Sequence, residues 1–148
     1  MWRELFFALL LCASNVLIHA LGSYGLFLWL THVLRKHPIP NMLQAWVMII
    51  RTVVFLLALH AAEVAVWAHF YMVRGCFSDL ETAYYFSLTS YTTLGFGDVV
   101  LPRPWRILGG CEAMIGVLMF GWSTATLVGL FHHLQDVRLQ THPSPGPQ

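Results

Sequence analysis

The stretch Thr92-Thr93-Leu94-Gly95-Phe96-Gly97-Asp98 reads TTLGFGD and lies between two long apolar segments. Gly95 and Gly97 stand at alternate positions, and a residue without Cβ takes left-handed dihedrals at little steric cost. Alternating left-handed residues turn successive carbonyls of an extended segment toward one side. The carbonyls of Thr93, Leu94, Gly95 and Phe96, with the Thr93 hydroxyl, then form a ladder of oxygens able to replace the hydration shell of a cation. One chain carries one such stretch, so closed rings of oxygens need several copies around an axis.

Immediately upstream, Leu80 to Tyr91 reads as a helix, with Ser78-Asp79 as its N-cap and Glu81 in its first turn. It falls short of the roughly 20 apolar residues needed to cross a bilayer. Longer runs flank it, from Leu5 to about Leu34, from about Met42 to Met72, and from about Trp105 to His132. Pro38 and Pro40 separate the first two, Arg74-Gly75-Cys76 ends the second, and Pro102 and Pro104 precede the third. The short helix with its glycine-containing stretch therefore reads as re-entrant. Irregular backbone at membrane depth is tolerated only where it lines water or is buried in protein. The expected fold is an all-α membrane protein: three transmembrane helices, a re-entrant pore helix and an extended filter, assembled around a central pore.

Composition agrees. The chain has 148 residues, 57% of them hydrophobic and 10% charged, with mean hydropathy +0.64, which is membrane-protein usage. A net charge of +1 excludes a strongly basic surface for nucleic acid. Cys12, Cys76 and Cys111 show no paired spacing, and no phosphate-binding glycine loop, catalytic triad or zinc motif appears, so neither an enzyme nor a cofactor is expected. Met1 to Ala20 has the outline of a signal peptide, but the apolar run continues to Leu34, so it reads as an uncleaved helix.

The string AYYFSLTSYTTLGFGD resembles the pore helix and filter of bacterial potassium channels, whose filter is usually written TVGYGD. Leu94 in place of Val and Phe96 in place of Tyr resemble the two-pore-domain branch. HAAEVAVWAHFY and EAMIGVLMFGWSTATL are also similar to a group of small bacterial channels. The resemblance covers about Met42 to Leu134, the two-transmembrane/pore-loop module, and leaves the N-terminal helix outside it. It implies residues 1–37 as an N-terminal transmembrane helix and loop, 38–134 as the pore module (outer helix 42–72, pore helix 80–91, filter 92–98, inner helix 105–134), and 135–148 as a polar, Pro-rich, disordered tail.

The same resemblance implies a potassium-selective homotetramer, three further copies being its partners along with membrane lipids. Potassium would be the permeant ion, bound at Thr93, Leu94, Gly95 and Phe96, with Gly97 completing the filter. The implied place is a bacterial inner membrane, N-terminus outside and C-terminus in the cytoplasm. Arg35 and Lys36 on the cytoplasmic side agree with the positive-inside rule. Thr92, Asp98, Thr89, Tyr84 and Tyr85 are the implied supports of the filter. Phe96 lacks the phenol hydroxyl that would anchor it. Two alternatives stay open on the same scaffold: a non-selective cation channel, and a non-conducting or partner-dependent subunit of a potassium transport system.

Ionisable residues inside apolar helices are the second signal, because charges in a membrane are costly and usually pair or face water. His60 and Glu63 share a helix face, and Asn15 and His19 lie one turn apart at a similar depth. A buried cluster of Asn15, His19, His60 and Glu63 is expected, with Glu112 bracing the pore helix. Such a cluster is either interhelical glue or a proton-sensitive gate. Gly116 and Gly121 in the third span are candidate hinges or sites of close packing.

Overall fold

The computed structural model describes residues 2–36 and 41–141. In chain order it holds α1 (Trp2–Lys36), α2 (Met42–Val73), α3 (Leu80–Tyr91), a single 3-10 turn (Arg103–Trp105) and α4 (Arg106–Thr141). No strand occurs among the described residues. The fold is all-α, and α1, α2 and the stretch from Arg103 to Val137 are each long and apolar enough to cross a membrane. The 12-residue α3 is not. The Pro38/Pro40 break lies outside the described residues.

Local chemistry sets the boundaries. Asn41 caps α2 through a capping box: its side chain accepts from the Gln44 amide at 2.8 Å, and its own amide donates to Gln44 Oε1 at 3.0 Å. At the other end Gly75 takes φ +66°. The Gly75 and Cys76 amides bond back to the Met72 and Tyr71 carbonyls, both at 2.9 Å, closing a Schellman turn. Asp79 caps α3 by accepting from the Thr82 amide at 2.8 Å. One boundary differs from the sequence expectation. The helix α4 runs past Leu134 to Thr141, because the segment from Gln135 to Gln140 contains no Pro or Gly to stop it. The rest of the expected tail lies outside the described residues.

The helix α1 passes unbroken through Ala20 and packs on α2 and α4 of its own chain, while α3 sits between α2 and α4. The main core gathers around α3, with Trp67, Tyr71, Phe86, Tyr91, Leu108 and Ile115 buried together. At that end Arg74 places its guanidinium 4.0 Å from the Phe7 ring and also faces Phe70 and Trp105. This cation–π contact fastens α1 to the end of α2 and the start of α4. A second core at the opposite end joins α2 to α4 through Ala45, Met48, Leu130 and Leu134. The molecule is thus tied at both ends, with α3 and the segment after it held between.

Candidate functional site

The segment 92–98 begins where α3 stops. Thr92 is the C-cap of α3 (φ −80°, ψ 0°), and its hydroxyl returns to the Leu88 carbonyl at 2.7 Å. It closes the helix rather than reaching behind the following segment. Positive φ then recurs at every second residue: Thr93 at +61°, Gly95 at +48° and Gly97 at +81°. The glycines take this conformation freely, whereas a β-branched residue takes it only under constraint, at about 1–2 kcal/mol. Part of that constraint is visible. The Thr93 amide bonds the Ser90 carbonyl at 2.9 Å, and the Gly95 amide bonds the Thr89 carbonyl at 3.0 Å. Thr89 therefore holds the segment through its main chain, since its hydroxyl is given to the Phe86 carbonyl at 3.0 Å.

Farther on, the Tyr85 hydroxyl donates to Asp98 Oδ2 at 2.7 Å. That bond ties the far end of the segment to the body of α3. It holds the Asp98 carboxyl below the usual carboxylate range and pushes the Tyr85 phenol up. Tyr84, on the adjacent position, is exposed. Leu94 and Phe96 stand out from the chain at 57% and 65% exposure. Large apolar side chains so exposed side by side mark an interaction surface.

Behind α3 lie two buried carboxylates on different helices. Glu112 of α4 is fully buried. It accepts from the Ser87 hydroxyl of α3 and, at 2.7 Å, from the Tyr71 hydroxyl of α2. Ser87 also reaches the Val64 carbonyl at 3.0 Å. Glu63 of α2 is equally buried. His19 Nδ1 lies 2.8 Å from its Oε1, His60 Nδ1 lies 3.2 Å from its Oε2, and the Tyr91 hydroxyl donates to it. Ser123 Oγ of α4 completes the group, 2.9 Å from His60 Nε2 and 3.4 Å from His19 Nε2.

Of the four residues expected to gather, His19, His60 and Glu63 come together. Asn15 does not join them: it is buried, but neither side-chain amide atom finds a hydrogen-bond partner. It lies one turn before His19 on α1, fully buried. The hydroxyls of Tyr91, Ser123, Tyr71 and Ser87 escaped the sequence reading. Their only signal is that each is a polar residue at helical spacing within an apolar run.

The two candidate hinge glycines part company. A Cβ at Gly116 would lie 2.1 Å from the Tyr91 carbonyl oxygen, whereas one at Gly121 would meet nothing within 4 Å. Gly116 is where α4 passes against the last residue of α3, so close packing accounts for it.

Comparison with known proteins adds to this geometry. The family whose sequence model matches is described as ion channel, and the match runs over residues 47–132, more than half the chain. A potassium voltage-gated channel protein, shk-1 of Caenorhabditis elegans, is 36% identical over 73 residues. That alignment covers 47% of this chain and only 14% of the relative. No solved structure matches significantly.

Proposed function

We propose a function from the premise that the chain belongs to the ion channel family: it is a potassium-selective channel whose filter is the segment 92–98. The chain is a membrane channel protein, not an enzyme. The observation that carries the finer reading is the alternation of positive φ at Thr93, Gly95 and Gly97 directly after α3. Carbonyls of Thr93, Leu94, Gly95 and Phe96 then face one side and, with the Thr93 hydroxyl, offer the oxygen rings that potassium exchanges for water. Ions pass by knock-on between adjacent rings. The C-terminal end of α3 carries the negative pole of its dipole and favours a cation beside it.

Four copies form the pore. Each contributes one filter strand, and the exposed Leu94 and Phe96 side chains pack into the neighbouring copies. Asp98 sits at the outer mouth, where a ring of carboxylates draws cations. The helix α3 re-enters from the outside, α4 lines the inner pore, and α1 lies at the periphery. The N-terminus is outside and the exposed Arg35 and Lys36 are cytoplasmic, in a bacterial inner membrane. The remaining exposed apolar faces meet lipid.

Currents from the purified protein in planar bilayers test this reading. The expected reversal potential in mixed potassium and sodium follows the potassium gradient, and barium blocks the current. In Gly95→Ala, potassium-over-sodium discrimination falls by about tenfold or more, because an L side chain in left-handed backbone costs about 1–2 kcal/mol. Equal sodium and potassium currents in the wild type would replace selectivity with a general cation pore. No current under any gradient would point to a partner-dependent subunit.

A further inference from the structure

We infer that the buried group on α1, α2 and the end of α3 is a binding site for a divalent transition metal ion of the zinc type, ligated by His19 Nδ1, His60 Nδ1 and Glu63, with the Tyr91 hydroxyl at the fourth position. Potassium conduction does not enter this inference. It stands on the geometry of five side chains from four helices.

First, the donor atoms converge. One ligand atom each from His19, His60 and Glu63 lies within 4.8 Å of the others. The pairwise gaps are 2.8 Å from His19 Nδ1 to Glu63 and 3.2 Å from His60 Nδ1 to Glu63, and Tyr91 Oη lies 3.0 Å from His60 Nδ1. Ligand atoms about 2.0 Å from a tetrahedral zinc stand about 3.3 Å apart. The two imidazole–carboxylate gaps, one to each Glu63 oxygen, lie within about 0.5 Å of that spacing.

Second, the rings are oriented as ligands are. Both Nδ1 atoms turn inward to the carboxylate, and both Nε2 atoms turn outward to one acceptor, Ser123 Oγ, at 2.9 and 3.4 Å. A metal-bound imidazole commonly gives its other N–H to a fixed partner, which sets its tautomer and orientation. Ser123 fills that place for two rings at once. Trp122 packs 5.3 Å from the His19 ring and Phe120 packs 4.6 Å from the His60 ring, which shields the group from water.

Third, the donor set suits the ion. Two imidazoles, a carboxylate and a phenol oxygen match zinc and its neighbours rather than magnesium or calcium, which prefer all-oxygen shells. The side chains of His19 and Glu63 are wholly buried, while His60 keeps 10% of its side chain exposed and marks the edge by which an ion enters. The bound ion would join α1 and α2 to the residue immediately before Thr92.

The test uses the full chain, purified in detergent without a histidine tag and stripped with a chelator. Zinc is then titrated calorimetrically, and X-ray absorption is measured at the zinc edge. One zinc per subunit is expected, with a nitrogen/oxygen shell at about 2.0 Å that contains two imidazoles. Affinity should fall by a hundredfold or more in His60→Ala, and by about tenfold to a hundredfold in Ser123→Ala, which removes only the outer partner. A His132→Ala/His133→Ala variant should bind as the wild type does. No zinc uptake, a shell without two imidazoles, or binding unchanged by His60→Ala would overturn the site. The last would put the ion on exposed histidines such as His69 or His132. Should His60→Ala fail to fold, the wild-type absorption spectrum and Ser123→Ala decide alone.

Discussion

Two carboxylates brace α3 from behind, and they do so with different chemistry. Glu112 holds the middle of the helix with hydroxyl donors from Ser87 and Tyr71. Glu63 holds its last residue, Tyr91, and adds two imidazoles from separate helices. A hydroxyl can turn to donate or accept but keeps no net charge, and the Glu112 group includes no imidazole, so it can do little beyond holding. An imidazole has two distinct nitrogens and can change protonation or take a metal. The Glu112 group is therefore a fixed bracket. The Glu63 group, one residue before the segment 92–98, is the one able to respond to its surroundings.

The largest effect is expected where both braces fail together. Gly116 lies between Glu112 and Ser123 along α4, and the Tyr91 carbonyl occupies the space its Cβ would need. The obstructing atom is backbone, so a side chain cannot swing aside. Gly116→Val pushes the end of α3 away from α4, pulling Tyr91 from Glu63 and Ser87 from Glu112. Overpacking of this kind costs about 3 kcal/mol or more. Little folded protein should be recovered on size exclusion in detergent, while Gly121→Val, where a Cβ meets nothing within 4 Å, should elute as the wild type. Normal recovery of both would mean that α4 and α3 do not depend on that close approach.

A smaller loss follows from Glu112 alone. Glu112→Ala leaves the buried Tyr71 hydroxyl without its acceptor and opens a cavity, together about 3 kcal/mol. Ser87 keeps the Val64 carbonyl. Glu112→Gln should cost only about 1 kcal/mol, because the two hydroxyls can reorient around an amide. Thermal denaturation in detergent measures both. Equal losses for Ala and Gln would show that the bracket needs a carboxylate, and the contrast with Glu63 would narrow.

The helical frame was legible in the sequence, for reasons that particular residues make plain. Apolar runs of bilayer length marked the three spans and Ser78-Asp79 before Leu80 marked the beginning of α3, since caps and hydropathy are local properties, whereas the capping box of Asn41 at the start of α2 emerged only in the structure. The end of α4 was not, because Gln135-Asp136 looks like the start of a polar tail but contains nothing that stops a helix. In the polar clusters His19, His60, Glu63 and Glu112 stood out through the cost of charge in a membrane. Their hydroxyl partners did not, since Ser and Tyr are ordinary in such helices and only the packing of four elements selects Tyr91 and Ser123. Asn15 shows the converse: depth along a helix can be counted, but which residues meet across helices is decided by rotation. The left-handed Thr93 was hidden for a related reason, because its own side chain argues against the conformation that its neighbours impose.

The smallest effect belongs to the exposed end of the segment, the Tyr85–Asp98 bond, which neither buried brace reaches. The phenol donates to the ionised carboxylate, so it holds the Asp98 carboxyl below its ordinary range. A depressed carboxyl contributes its bond fully above the ordinary carboxylate pKa of about 3.9, and loses it as pH falls through the lowered value. Removing the hydroxyl in Tyr85→Phe lets Asp98 protonate at a higher pH. Conductance at neutral pH should stay close to the wild type, because the pair is exposed and Asp98 remains charged. Acidifying the Asp98 side should then reduce single-channel conductance at a higher pH in Tyr85→Phe than in the wild type. Asp98→Asn should show the reduced conductance already at neutral pH and little acid dependence of its own. Superimposable acid profiles for the wild type and Tyr85→Phe would mean that the hydroxyl does not tune the carboxylate. The backbone amides of Asp98 and Val99, which also favour the ionised carboxylate, would then set its acidity.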